Sequence, residues 1–110
     1  MAAVAGEVSP PAASFQEEIA ERLNAERAAC RSAGCPLAPL KLLPQLSAVA
    51  DAHSRAMAYD DFFSHCDIAT GRGTWERLRH AGYGYSSAGE NLASGGSTPA
   101  AAMAQWMRSL

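Results

Sequence analysis

The chain has 110 residues, enough for one domain at most, and 24 of them are alanine, so large apolar side chains for a core are few. The formal net charge is −2 with acidic and basic residues interleaved, which argues against a nucleic-acid-binding surface. The sequence contains no apolar run near the roughly 20 residues of a transmembrane helix, and its start lacks the basic and apolar regions of a signal peptide.

The first helix is predicted to begin at Ser14. Residues 1–13 are rich in alanine, proline and glycine, and we expect them to be a flexible lead-in. Ser14, followed three residues later by Glu17, has the pattern of a capping box. Apolar residues at helical spacing follow, and the helix should run to about Arg31, with Gly34 as its stop signal.

Proline marks the start of two further helices. Pro44 is placed as the first residue of a second helix, which should end near Tyr59 or Asp60. Pro99 follows the capping residue Thr98 at the start of a fourth helix. Between them, Thr74 is expected to cap a short third helix.

The segments between these helices are candidates for short strands. Residues 35–42 are interrupted by prolines and are predicted to be an extended edge segment. The run Gly89–Ala93 follows a Gly/Ser-rich connection and is a second candidate. In the third helix, Trp75 and Leu78 are expected to face inward.

Three cysteines leave several pairings open. Cys30 and Cys35 are close enough in sequence to close a small ring, but either could instead pair with Cys66, or all three could remain thiols. A single C-x4-C pair followed by one distant cysteine is weak evidence for zinc, which takes four ligands, usually from tight C-x2-4-C pairs.

One histidine and one glutamate are the candidates for chemistry. His65 lies outside the predicted helices, after two phenylalanines, and Glu90 lies in a loop where it could be a ligand or a proton acceptor. His53 lies on the apolar stripe of the second helix, which favours a structural role, and His80 receives no function. A nucleophile formed by Cys66 and His65 is disfavoured, and no serine-triad motif is present.

The order of the motifs is more specific than any one of them. They are Leu23–Arg27, Leu46–Ala58, Phe62–His65, Arg77–Tyr83, Gly89–Ala93 and Trp106–Ser109. Over about residues 15–110 this set resembles the bacterial branch of the CAP superfamily, which groups cysteine-rich secretory proteins, antigen 5 (allergen V5/Tpx-1-like) and plant pathogenesis-related proteins. Its domain is also called the SCP domain.

The resemblance implies an α+β fold, the CAP-type α-β-α sandwich, in a secreted or surface-exposed protein. It also implies a cleft lined in many members by two His and two Glu, able to hold a divalent metal such as zinc. By motif, His65 matches the first cleft histidine and Glu90 the first glutamate, and Asn91 beside it is a further ligand-binding candidate. Family roles lean towards binding of sterols, lipids, cell-envelope components or partner proteins.

The resemblance is incomplete at the end of the chain. Ser109 stands where eukaryotic members often have the second glutamate, although bacterial members commonly have Ser there, and the second histidine would follow Leu110, where this chain stops. Leu43 stands where relatives tend to have an Asp that caps the second helix. We therefore expect residues 14–110 to be the N-terminal part of a truncated CAP domain, helix-dominated, with about four helices and one or two short strands.

The sequence therefore predicts an extracellular binding module for an apolar small molecule, a lipid or a protein partner. The alternatives are a hydrolase-like enzyme that uses His65 as base with Glu90 as its orienting acid, and an inactive helical fragment. We expect no required cofactor, zinc only in a complete domain, and no tight zinc binding by His65 and Glu90 alone. Without a covering sheet, exposed apolar faces should favour self-association.

Overall fold

Four helices form the scaffold of the chain. The computed structural model describes residues 14–109, in which the helices are α1 (Phe15–Ala29), α2 (Pro44–Asp60), α3 (Thr74–His80) and α4 (Pro99–Arg108). The expectation of a helix-dominated fold with four helices is thus confirmed. The predicted lead-in of residues 1–13 lies outside the described residues, as does Leu110.

The predicted short strands do not form within residues 14–109. In the segment after α1, the side chain of Asn24 accepts from the N–H of Leu40 at 2.7 Å and donates to its carbonyl at 3.1 Å. Arg27 Nε donates to the carbonyl of Ala38 at 2.8 Å. In the Gly89–Ala93 run, Trp106 Nε1 donates to the carbonyl of Leu92 at 2.9 Å. Helix side chains therefore occupy backbone groups that a strand ladder would need.

Helix α1 begins as predicted and ends earlier. The side chain of Ser14 accepts from the N–H of Glu17 at 3.1 Å. The helix stops at Ala29 rather than Arg31, because Cys30 is already extended and is joined to Cys35 by a disulfide. The first of the cysteine alternatives is therefore correct, and Cys66 is free and exposed.

Helix α2 begins at Pro44 without a side-chain cap. Leu43 occupies the N-cap position in an extended conformation, and no side chain bonds the first N–H groups there. The helix ends at Asp60, and Asp61 adopts the left-handed conformation (φ 53°) with its N–H donating to the Met57 carbonyl. The predicted bounds of α2 and its lack of a capping acid are confirmed.

Helix α3 corrects two predictions. Its N-cap is Gly73, not Thr74, and the carboxylate of Glu76 accepts from the Gly73 N–H at 2.9 Å. Thr74 is the first helical residue, so its hydroxyl is available for a tertiary contact. Leu78 is buried as expected, whereas Trp75 is 46% exposed and stacks obliquely against Tyr85.

The helices pack as two pairs. Between α1 and α4 lies a cluster of Ile19, Ala102 and Met103, flanked by half-buried residues such as Phe15 and Trp106. Helices α2 and α3 form the second pair, with Ala50, His53 and Leu78 as their buried residues. None of the helices in the described residues is long and apolar enough to cross a membrane.

Candidate functional site

The structure brings His65 and Glu90 into direct contact. His65 lies in the loop after α2, and Glu90 lies in the connection between α3 and α4, 25 positions further along the chain. The Nδ1 atom of His65 is 2.7 Å from Oε1 of Glu90. The second helix pair positions both loops, because α3 lies between them in the chain and contacts each of them.

Arg77 of α3 makes that contact. Its two terminal nitrogens donate to the two oxygens of Glu90, at 2.7 Å to Oε2 and 2.9 Å to Oε1. This is the bidentate geometry in which an arginine–carboxylate pair is strongest. The same guanidinium donates to the backbone carbonyl of His65 at 2.7 Å, so it fixes both loops at once.

Thr74 supplies the last bond to the carboxylate. Its hydroxyl donates to Oε1 of Glu90 at 3.1 Å. Oε1 therefore accepts from His65, Thr74 and Arg77, and Oε2 accepts from Arg77. Thr74 and Arg77 are three residues apart on α3, so their side chains share one helix face.

Glu90 is buried and ionised, whereas His65 is open to solvent. The Glu90 side chain is 6% exposed and that of His65 is 58% exposed. Burial raises the pKa of Glu90, but the hydrogen bonds from Arg77, His65 and Thr74 and the charge of Arg77 together outweigh it and hold the pKa at about 2. The carboxylate is therefore charged at neutral pH.

This arrangement sets the orientation of the His65 ring. A carboxylate only accepts, so Nδ1 of His65 carries the proton that is donated to Glu90. In the neutral imidazole, Nε2 then carries the lone pair. Such a nitrogen can accept a proton or bind a metal, and a carboxylate on the opposite ring nitrogen is the usual support for a metal-binding histidine.

The described residues do not form a zinc site by themselves. Zinc takes at least three protein ligands even in open catalytic sites. No group of three or more His, Cys, Asp or Glu side chains in residues 14–109 could hold a metal ion. Both oxygens of Glu90 already accept hydrogen bonds, which leaves Nε2 of His65 as the donor that this pair offers. Asn91 is exposed beside Glu90, and its role in ligand binding stays a prediction.

Sequence reasoning did not assign Arg77 and Thr74 to the site. Arg77 belongs to one of the family motifs, and Thr74 was expected only to cap α3. The available signal was their spacing of three on a short helix between the two candidate loops. This spacing predicts that the two side chains lie on one face of the helix, but it does not predict which residue they contact.

The other histidines have the places expected of them. His53 is 2% exposed, its Nε2 donates to the carbonyl of Ser64 at 2.8 Å, and its ring meets Phe62 edge to face. These contacts fit the predicted structural role of His53, and they connect α2 to the loop that contains His65. His80 is exposed at the end of α3.

Comparison with known proteins gives the family. The family described as "CAP: Cysteine-rich secretory protein family" matches residues 20–110. A Bacillus subtilis (strain 168) protein with the name "Uncharacterized protein YkwD" is 33% identical over 95 residues, which cover 86% of this chain and 35% of that protein. The chain thus spans about a third of the length of this relative. No solved structure matches the chain. The chain therefore belongs to the CAP, or cysteine-rich secretory protein, family.

Proposed function

We propose that this chain is part of an extracellular CAP-domain binding module for an apolar small molecule, a lipid or a protein partner. The main support for this proposal is the burial, charge and hydrogen bonding of the Glu90 carboxylate. Its carboxylate is buried, charged and engaged by four hydrogen bonds, which suits a group that holds a fixed conformation. A pKa of about 2 is far from the neutral pH at which a proton-transferring acid works best.

In this proposal the two cleft residues have different roles. Glu90 orients His65 and joins its loop to α3 through Arg77. His65 offers Nε2 to a ligand or, in a complete domain, to a metal such as zinc. The resemblance implies a cleft of two His and two Glu, of which His65 and Glu90 would supply one each.

A hydrolase-like function is the second candidate. The 2.7 Å contact between Glu90 and His65 Nδ1 is the arrangement that prepares a histidine to act as a base through Nε2. A turnover assay with p-nitrophenyl acetate tests it. If His65 is not a catalytic base, the wild-type chain and His65→Ala should hydrolyse the ester at equal rates. A His65-dependent and Glu90-dependent rate would favour the enzyme and contradict the binding-module proposal.

Zinc calorimetry tests whether His65 and Glu90 can bind zinc tightly by themselves. We expect the 110-residue chain to show no sub-micromolar zinc affinity, because His65 Nε2 is a single donor. Any weak binding should be lost in His65→Ala and reduced roughly 10-fold or more in Glu90→Gln, since removal of an orienting carboxylate typically has that effect. Glu21→Gln, the same substitution at an exposed position on α1, is the control. Sub-micromolar affinity that disappears in His65→Ala would overturn the proposed half-site.

A further inference from the structure

The backbone at His65 is held on both sides of its Cα atom. The carbonyl of Ser64, in the peptide unit before that atom, accepts from Nε2 of His53 at 2.8 Å. The carbonyl of His65 itself, in the peptide unit after it, accepts from a terminal nitrogen of Arg77 at 2.7 Å. The first donor lies on α2 and the second on α3. Two helices therefore hold two consecutive carbonyl groups of one loop.

These two bonds restrict the direction in which the His65 side chain leaves the backbone. A peptide unit is planar, and the two torsion angles at a Cα atom relate the planes on either side of it. When both planes are bonded to helices, both torsion angles are restricted, and so is the direction of the Cα–Cβ bond. Glu90 then has to select only the side-chain torsion angles, through its 2.7 Å contact with Nδ1.

His53 is itself firmly placed, as a residue that holds a loop must be. Its ring is 2% exposed and meets Phe62 edge to face, with the ring centroids 5.9 Å apart. Within the loop, the N–H of Cys66 donates to the hydroxyl of Ser64 at 3.0 Å. The residue that His53 holds therefore also closes the turn on the other side of His65.

A space-filling role does not account for a histidine at this position. Nδ1 of His53 is buried and has no hydrogen-bond partner within residues 14–109. Such an atom lowers stability, and an apolar ring of similar size would fill the same space without that penalty. Because a carbonyl only accepts, the property that the imidazole adds is the Nε2–H donor to Ser64. The bond to the loop is thus the contribution that distinguishes histidine from phenylalanine here.

We propose that His53 is a positioning residue for His65. By holding the carbonyl of Ser64, it directs the His65 side chain towards Glu90 and so keeps Nε2 of His65 available to a ligand. The His65 side chain is 58% exposed, so packing restrains its ring less than that of a buried residue and its backbone matters more. This inference rests on the proposed role of His65 in ligand binding.

Long-range ¹H–¹⁵N NMR of the full chain, in mildly alkaline solution where histidine rings are generally neutral, tests the proposal. In the wild-type chain the neutral His65 ring should carry its proton on Nδ1, which faces Glu90. His53→Phe keeps a ring but has no donor. The ratio of the Nδ1–H to the Nε2–H form of His65 should fall about 5-fold, the factor that corresponds to one net hydrogen bond. His80→Phe, the same change at an exposed position on α3, should leave the ratio unchanged.

Two amide variants separate the donor from the packing of the ring. His53→Gln places an amide N–H near the position of Nε2, whereas the shorter side chain of His53→Asn places it near the position of Nδ1. Both lose the ring contact with Phe62, so both should lower stability. Only His53→Gln should restore the His65 ratio to that of the wild-type chain, and His53→Asn should behave like His53→Phe.

The measurement needs no ligand, so its outcome is independent of the zinc and ester experiments that test the proposed function. An unchanged ratio in all three His53 variants would overturn the proposal, since Glu90 alone would then orient the ring. Equal losses in His53→Gln and His53→Asn would also overturn it, because His53 would then act through packing. If His53→Phe does not fold, the comparison of the two amide variants decides the question by itself.

Discussion

At the scale of single residues, Arg77 determines the character of the site. Its guanidinium bonds both the Glu90 carboxylate and the backbone carbonyl of His65. Its positive charge makes the buried carboxylate stable, since an unpaired charge in that position would cost several kcal/mol. The orientation of His65 thus depends on a residue that belongs to neither predicted loop.

Replacing Arg77 should expose this dependence. In Arg77→Met the Glu90 carboxylate keeps only His65 and Thr74 as partners, so we expect a loss of roughly 3 kcal/mol in the free energy of unfolding at pH 7. Urea unfolding followed by circular dichroism measures it. Arg79→Met, on an exposed position of the same helix, should change stability by less than about 0.5 kcal/mol. Equal effects of the two substitutions would contradict the role of Arg77.

The same pair predicts how stability depends on pH. The pKa of Glu90 is lowered from 4.5 to about 2 in the folded chain, so its contribution is fully present above about pH 5 and is lost as the pH falls through 4.5 towards 2. We expect the wild-type chain to lose stability over this window more steeply than Glu90→Gln, which has no carboxylate to protonate. Unfolding free energies measured between pH 2 and pH 6 test this, and parallel curves would contradict it.

At the scale of the elements, some helix boundaries are set by the local sequence and others by tertiary contacts. Helices α1 and α4 begin directly after Ser14 and Thr98, and α2 begins at Pro44, as predicted, because capping and proline geometry act over a few residues. The end of α1 was predicted two residues too late, since the disulfide to Cys35 extends Cys30. The predicted start of α3 was wrong, because Gly73 is the N-cap residue and the hydroxyl of Thr74 donates to Glu90 instead.

A capping acid on α2 should stabilise the chain. Leu43 is already extended, as an N-cap must be, and is 38% exposed, so Leu43→Asp gives up little burial. We expect a gain of about 1 kcal/mol in unfolding free energy from a side-chain bond to the first turn. Thermal melts should show an increase in Tm of roughly 4–8 °C. Leu42→Asp is the control, and a gain no larger than that of the control would contradict the prediction.

At the scale of the whole molecule, the described residues enclose little apolar volume. The buried apolar residues are one cluster between α1 and α4 and a few positions on α2 and α3. Several large apolar side chains stay exposed, and the segment after α1 contributes four of them: Leu37, Leu40, Leu42 and Leu43. Exposed apolar surface of this kind favours association.

Self-association should therefore depend on this leucine segment. Sedimentation velocity of the 110-residue chain over a range of concentrations should show species larger than a monomer. The double variant Leu40→Lys and Leu42→Lys should shift the distribution towards monomer, because charged side chains oppose burial of that surface. Tyr59→Lys, at an exposed position on α2, is the control. A wild-type chain that stays monomeric at every concentration, or a double variant that associates as strongly, would contradict the prediction.

The number of helices, the family and the candidate residues His65 and Glu90 could all be predicted from the sequence alone. Helix starts depend on capping groups a few positions away, and recognition of the family depends on the order of motifs along the chain. Both can therefore be predicted from the linear sequence. Other features depend on tertiary contacts. The fold brings His65 to Glu90 across 25 residues, places Arg77 and Thr74 on the carboxylate, and leaves Trp75 exposed. It also pairs Cys30 with Cys35. These outcomes depend on which buried groups must find a partner in three dimensions, and spacing along the chain does not contain that information.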